Sequence, residues 1–179
     1  QKEKLDQVFL SGRIDMESPK RIHIVEQRTN LYENVWHTFL QSLQDENGEV
    51  PNTDTHRDRA VLIVPCDAPL MTPQEVEYFI SHADMENYDH VLGMVSREKL
   101  KYFYPQEKKQ GVKMAYVHIK EDSFRINNLH LVKPLRIENR EYIQKMYQYR
   151  YQRNFKNLLL LGLSLFGKNK ARYYKNYIG

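Results

Sequence analysis

The chain has 179 residues, 41% hydrophobic and 28% charged, enough for the core of one α/β domain and too little for two full ones. A net charge of +4 and a pI near 9.0 favour anionic ligands such as nucleotides and phosphorylated substrates without demanding nucleic acid. The single cysteine, Cys66, excludes an intramolecular disulfide and a thiolate metal cluster and agrees with a reducing, cytoplasmic setting.

The N-terminal stretch QKEKLDQVFL has neither a starting Met nor the apolar core of a signal peptide. QVFL (7–10) and RIHIVE (21–26) read as short strands separated by SGRIDMESPK, whose Gly, Ser and Pro mark a loop. Thr29 or Asn30 can cap a helix that starts near Leu31, with Leu31, Val35, Phe39 and Leu43 as its apolar stripe. A polar, turn-rich loop, DENGEVPNTDTHRDRA, follows. The aliphatic run from Ala60 to Val64 predicts a central strand covered on both faces. Thr72, Pro73 and Glu75 then form a helix start, and Val76, Phe79 and Ile80 supply its buried side. HVLGMVS (90–96) and KMAYVHI (113–119) read as two further strands. Strands alternating with helices predict a three-layer, Rossmann-like α/β fold with a mostly parallel sheet. From Arg136 the chain turns helical, tyrosine-rich and basic, and its longest apolar stretch, Leu158 to Phe166, is short of the roughly 18 to 20 residues that span a bilayer. The division expected is 1–135 for the α/β domain and 136–179 for a helical C-terminal extension.

In an open parallel sheet, ligands bind beyond the carboxyl ends of the strands, and Asp67 lies there. A carboxylate at the rim of a buried strand needs a cationic partner, commonly a divalent metal carrying phosphate, or it accepts hydrogen bonds from amides in a Pro-containing turn. Residues alone leave both readings open.

The stretch VPCDAPLMTPQEV resembles the hydrophobic strand, Asp-x-Pro-Leu and Thr-Pro-Glu helix start of the sugar-nucleotide and molybdenum-cofactor nucleotidyltransferases, the MobA-like group with a Rossmann-type fold. The resemblance extends in element order from about Val8 to Pro134. It implies that Asp67 binds Mg²⁺ shared with nucleotide phosphates, and that Asn127, or second Asn128, in RINNLHLVKP completes the metal's coordination. It also puts Gln27, Thr29 and Asn30 where the family approaches base and ribose, although a helix cap explains Thr29 and Asn30 equally.

The reaction implied is attack of a phosphorylated sugar- or cofactor-like acceptor on the α-phosphorus of an NTP, transferring NMP and releasing pyrophosphate. The chain departs from the family in lacking the Gly-rich phosphate loop. QVFL therefore reads as the family's second strand, and the expectation is that the first strand and loop precede Gln1 or that the domain is a non-catalytic interaction module. A sugar transferase of the related nucleotide-sugar fold is the third reading, but CDAP supplies one Asp where that class usually has two.

The seven histidines share no metal-site spacing, and Cys66 reads as a small residue packed at the strand end. The aromatic and basic C-terminal stretch reads as amphipathic helices for packing, homo-oligomer contact or peripheral membrane contact, with no nucleic-acid partner expected.

Overall fold

The computed structural model describes residues 7–13, 21–44, 48, 53–68, 70–107, 110–120, 122–138, 140 and 143. The chain divides into two compact units, one of residues 1–58 with 134–179 and the other of residues 59–133.

In the first unit, β1 (Val8–Ser11) and β2 (Ile22–Val25) pair in parallel, Val8 opposite Ile22 and Ser11 opposite Val25. Cross-strand partners share a face, so Phe9 stacks on His23 with ring centres 4.6 Å apart. Gly12, at φ +143°, donates its N–H to the Val25 carbonyl at 3.0 Å and carries the pairing one step further. Helix α1 (Leu31–Ser42) begins where extended Asn30 accepts a hydrogen bond from the Glu33 N–H at 3.0 Å. Val25, Phe39 and Leu43 are the buried apolar side chains here, and Trp36 packs against Phe39 at 5.6 Å. The Arg140 guanidinium lies over the Trp36 ring, 4.0 Å from its centre, and Arg136 pairs with Asp58.

The second unit is built around β6 (Ser123–Val132). One edge of β6 pairs antiparallel with β4 (His90–Ser96). On its other edge, β3 (Val61–Ile63) pairs with 130–132 and β5 (Val117–His118) with 123–124, both antiparallel. Helix α2 (Pro73–His82) connects β3 to β4, and α3 (Arg97–Leu100) leaves β4 directly into a 3-10 turn at Lys101–Phe103. Leu129, Leu131 and Val132 are buried, as is Lys133, whose ammonium donates to the Met85 carbonyl at 2.6 Å and stands 3.8 Å from Asp89.

This architecture corrects the expectation of a three-layer, Rossmann-like, mostly parallel sheet. Among the described residues only β1 and β2 pair in parallel; the four-stranded sheet is antiparallel at each of its pairings. Strands β3 and β4 do point the same way, but β6 runs between them in the opposite direction. Nor is β3 a central strand. It pairs on one side only among the described residues, and its three side chains are half-buried. KMAYVHI shortens to Val117–His118, because Met114 and Tyr116 turn inward against Tyr104: the Tyr104 hydroxyl donates to the Met114 carbonyl at 3.3 Å and the two tyrosine rings stack at 6.1 Å. The helices expected beyond residue 143 lie outside the described residues. Among those described, no helix is long and apolar enough to cross a membrane.

Candidate functional site

Strand β3 ends at Ile63, opposite His130, and the chain leaves through Val64 and Pro65 into a turn holding Cys66 and Asp67. Asp67 is exposed, so the picture of a carboxylate driven into a buried strand end is wrong for this chain. Nothing forces a charge out of water here. Among the described residues, its carboxylate engages neither a hydrogen-bond donor nor a cation. Cys66 beside it is an exposed free thiol rather than packing at the strand end.

After the turn, Thr72 and Glu75 close the start of α2. The Glu75 N–H donates to Thr72 Oγ1 at 3.3 Å, and the Thr72 N–H donates to Glu75 Oε2 at 2.7 Å, with Pro73 at the first helical position. Those bonds to Thr72 hold the Glu75 carboxyl below the ordinary carboxylate range. The helix start is thus built as the sequence spacing implied.

Asn127 lies on β6, whose C-terminal part pairs with β3. Between the segments paired to β3 and β5, no strand among the described residues pairs with 125–129 on that edge, and Asp67's turn departs beside this gap. Opposite it, the register between β4 and β6 slips between Leu92 and Met94, where two steps along β4 span four along β6, and Asn128 lies within this bulge at φ +62°. This bulge settles the fate of both asparagines. Asn128 is exposed and supplies the left-handed backbone; Asn127 lies flat on Gly93, where a Cβ would stand 2.2 Å from its Oδ1. The Asn127 carbonyl oxygen accepts the Leu129 N–H at 3.1 Å, which fixes the amide's orientation.

Ala68 and Asn127 both line an open groove of about 980 Å³ between α2 and the β4–β6 face. Its walls are mainly apolar, including Leu70, Met71, Phe79, Met94 and Phe124, with Glu75, His82, Lys99 and Asn127 as polar groups. Tyr78 stacks on His82 at 3.9 Å, and the His82 Nδ1 lies 2.8 Å from the Tyr78 carbonyl. Lys99, Tyr78 and His82 were missed as site residues. Their signal was legible for α2, since Glu75, Tyr78, Phe79 and His82 follow helical spacing along one face. Lys99 had none, because α3 is only four residues long.

Gln27, Thr29 and Asn30 belong to the first unit and Asp67 to the second. Gln27 is exposed and its amide lies 3.5 Å from where a Cβ on Gly12 would be. Thr29 is exposed, and Asn30 spends its side-chain oxygen on the helix cap. Behind them, the Arg28 N–H donates to Asn34 Oδ1, and the Arg28 guanidinium meets His37 Nε2 at 2.9 Å.

No three His, Cys, Asp or Glu side chains converge among the described residues, so a metal at Asp67 would draw most of its ligands from bound phosphate and water. In kind, the groups fit a hard cation: one free carboxylate from Asp67 and one oriented amide oxygen from Asn127. Comparison with protein families, curated proteins and solved structures finds no match to the chain.

Proposed function

We propose that the chain is a nucleotidyltransferase that moves an NMP group from an NTP to a phosphorylated acceptor. An acceptor phosphate oxygen attacks the α-phosphorus, the bond to the bridging oxygen breaks, and pyrophosphate leaves. Mg²⁺, held by Asp67 and the Asn127 amide oxygen together with phosphate oxygens, would neutralise charge developing on the phosphates. The chain's own contribution would be placement: the turn after β3 leaves Asp67 exposed, and the Leu129 N–H holds the Asn127 amide oxygen on β6.

One observation carries the reading. The two residues that VPCDAPLMTPQEV and RINNLHLVKP offer for a metal lie sixty residues apart in sequence, and Ala68, the residue after Asp67, lines the same groove as Asn127. Asn128, the second choice for the metal, faces solvent and serves the bulge instead. The single cation of α3 that lines the groove, Lys99, suits a phosphate, and the Tyr78 ring offers a face for a base.

Thermal unfolding of the full chain with each NTP, with and without Mg²⁺, tests this. A saturating NTP raises stability by about 2.7 kcal/mol at a hundred times its Kd. Asp67→Ala removes the Mg²⁺-dependent part of that gain while leaving the ligand-free melting temperature unchanged, since Asp67 is exposed. Failure of every NTP to stabilise the protein in Mg²⁺ would overturn the nucleotide reading. Stabilisation without pyrophosphate release on adding phosphorylated acceptors would support the alternative that the chain lacking a Gly-rich loop binds nucleotide as a non-catalytic interaction domain.

A further inference from the structure

We infer that the loop from Lys101 to Lys113 docks the protein on an anionic lipid surface, at a place separate from the groove and independent of the activity proposed above. Three exposed apolar side chains cluster there: Tyr102 is 68% exposed, Phe103 53% and Val112 63%. Tyr102 meets Phe103 edge to face at 5.6 Å, and the Val112 N–H donates to the Phe103 carbonyl at 3.0 Å, so the three are neighbours.

The described part of the loop beneath them is closely packed. Gly111 passes so close to the backbone of Tyr104 and Pro105 that a Cβ would stand 2.3 Å from the Tyr104 carbonyl carbon. Tyr104, Met114 and Tyr116 occupy the inner side, with the Arg97 guanidinium 5.8 Å from the Tyr116 ring centre. Inner positions are therefore filled by rings, and the Tyr102, Phe103 and Val112 side chains remain largely exposed. A contiguous apolar patch kept in water in this way marks an interaction site.

Charge identifies the partner. Residues 101–113 contain four Lys against one Glu, so this loop is basic in sequence. Lys101 is tied to Glu98 at 2.6 Å, whereas Lys113 stands exposed next to Val112. Exposed rings and aliphatic side chains among lysines suit insertion at the headgroup boundary of an anionic bilayer, each nearby cation adding electrostatic attraction. A single-stranded nucleic acid would use the rings for stacking but leave Val112 without a partner.

The test is sedimentation of the full chain with phosphatidylcholine vesicles, with and without 30% phosphatidylserine, at low and high salt. Binding should require phosphatidylserine, fall at high salt, and weaken at least tenfold in Phe103→Ser/Val112→Ser and in Lys113→Glu. Melting temperatures of these surface variants report whether they fold. Independently, Phe103→Trp in otherwise native protein should gain a blue-shifted emission on the anionic vesicles, beyond any change from Trp36. Equal binding to neutral vesicles, undiminished binding of the variants, no binding at all, or displacement of the vesicles by poly(U) with quenching of the new tryptophan overturns the inference. Undiminished binding of the variants would place membrane attachment elsewhere, such as on the basic C-terminal stretch.

Discussion

At Gly93 the absence of a side chain is what allows Asn127 to reach its position. A methyl group there would overlap the Asn127 amide, and that amide is not free to swing away, because Leu129 N–H holds its oxygen. Gly93→Ala should therefore lower stability by about 1 to 2 kcal/mol, in the range for overpacking a well-filled site, as read by chemical denaturation. It should also weaken Mg²⁺-dependent NTP stabilisation, whereas Asp67→Ala weakens that stabilisation alone. Asn128 gives the opposite contrast at the adjoining residue. Its φ of +62° suits Asn or Gly, so Asn128→Gly should be nearly neutral, while Asn128→Val, a β-branched residue in left-handed backbone, should cost roughly 1 to 2 kcal/mol. Equal stability of the Gly and Val variants would mean that the bulge is not held in that conformation.

Helix α1 separates capping from ligand binding. Asn30 accepts the Glu33 N–H, and removing that acceptor should destabilise the first unit by about 1 kcal/mol in Asn30→Ala, measured by urea titration. Asn30→Ser should restore the stability, because a serine hydroxyl caps as well; a residue needed to read a base would not be rescued that way. Elements whose periodicity is uninterrupted were legible in the sequence: the Asn30 cap and α1, the Thr72–Pro73–Glu75 start of α2, and β4 from His90 to Ser96, whose bounds match the hydrophobic run. The longest strand was not. In SFRINNLHLV the inward positions are Phe124 and Ile126 before the bulge and Leu129 and Leu131 after it, so the alternation changes phase at Asn127–Asn128 and reads locally as a polar turn. Losing β6 as a strand had a second consequence. Strands β3 and β4, seen alone with a helix between them, read as parallel neighbours, and the fold class followed that reading into error. Asp67 and Asn127 were named from local motifs, so their choice did not depend on sheet class.

Across the molecule as a whole, stability in mild acid should rest on the pairing of β4 with β6, the chief seam of the second unit. His90 Nε2 lies 3.0 Å from His130 Nδ1, and the rings are nearly coplanar, 15° apart, with centres separated by 5.3 Å. The centre separation exceeds the nitrogen separation by about the radii of the two rings, so they meet end to end with one N–H aimed at one lone pair. Neutral rings satisfy that geometry, and so does one proton shared between them; a second proton leaves two donors facing each other. Partial burial lowers the pKa of both histidines from the ordinary value of 6.5, and the charge of His90 lowers that of His130 further. Since the folded values lie below the unfolded one, the stabilisation is fully present above pH 6.5 and is lost as the pH falls through the folded values. Thermal unfolding of the wild type should therefore show a falling melting temperature as the pH drops below 6.5, and His90→Gln/His130→Gln should flatten the curve there. Net charge strengthens the effect, because a chain already at +4 gains further positive charge on acidification, but that contribution is shared by wild type and variant and weakens with added salt. A slope that is the same in both proteins at high salt would show that the histidine pair is not what couples this seam to protons.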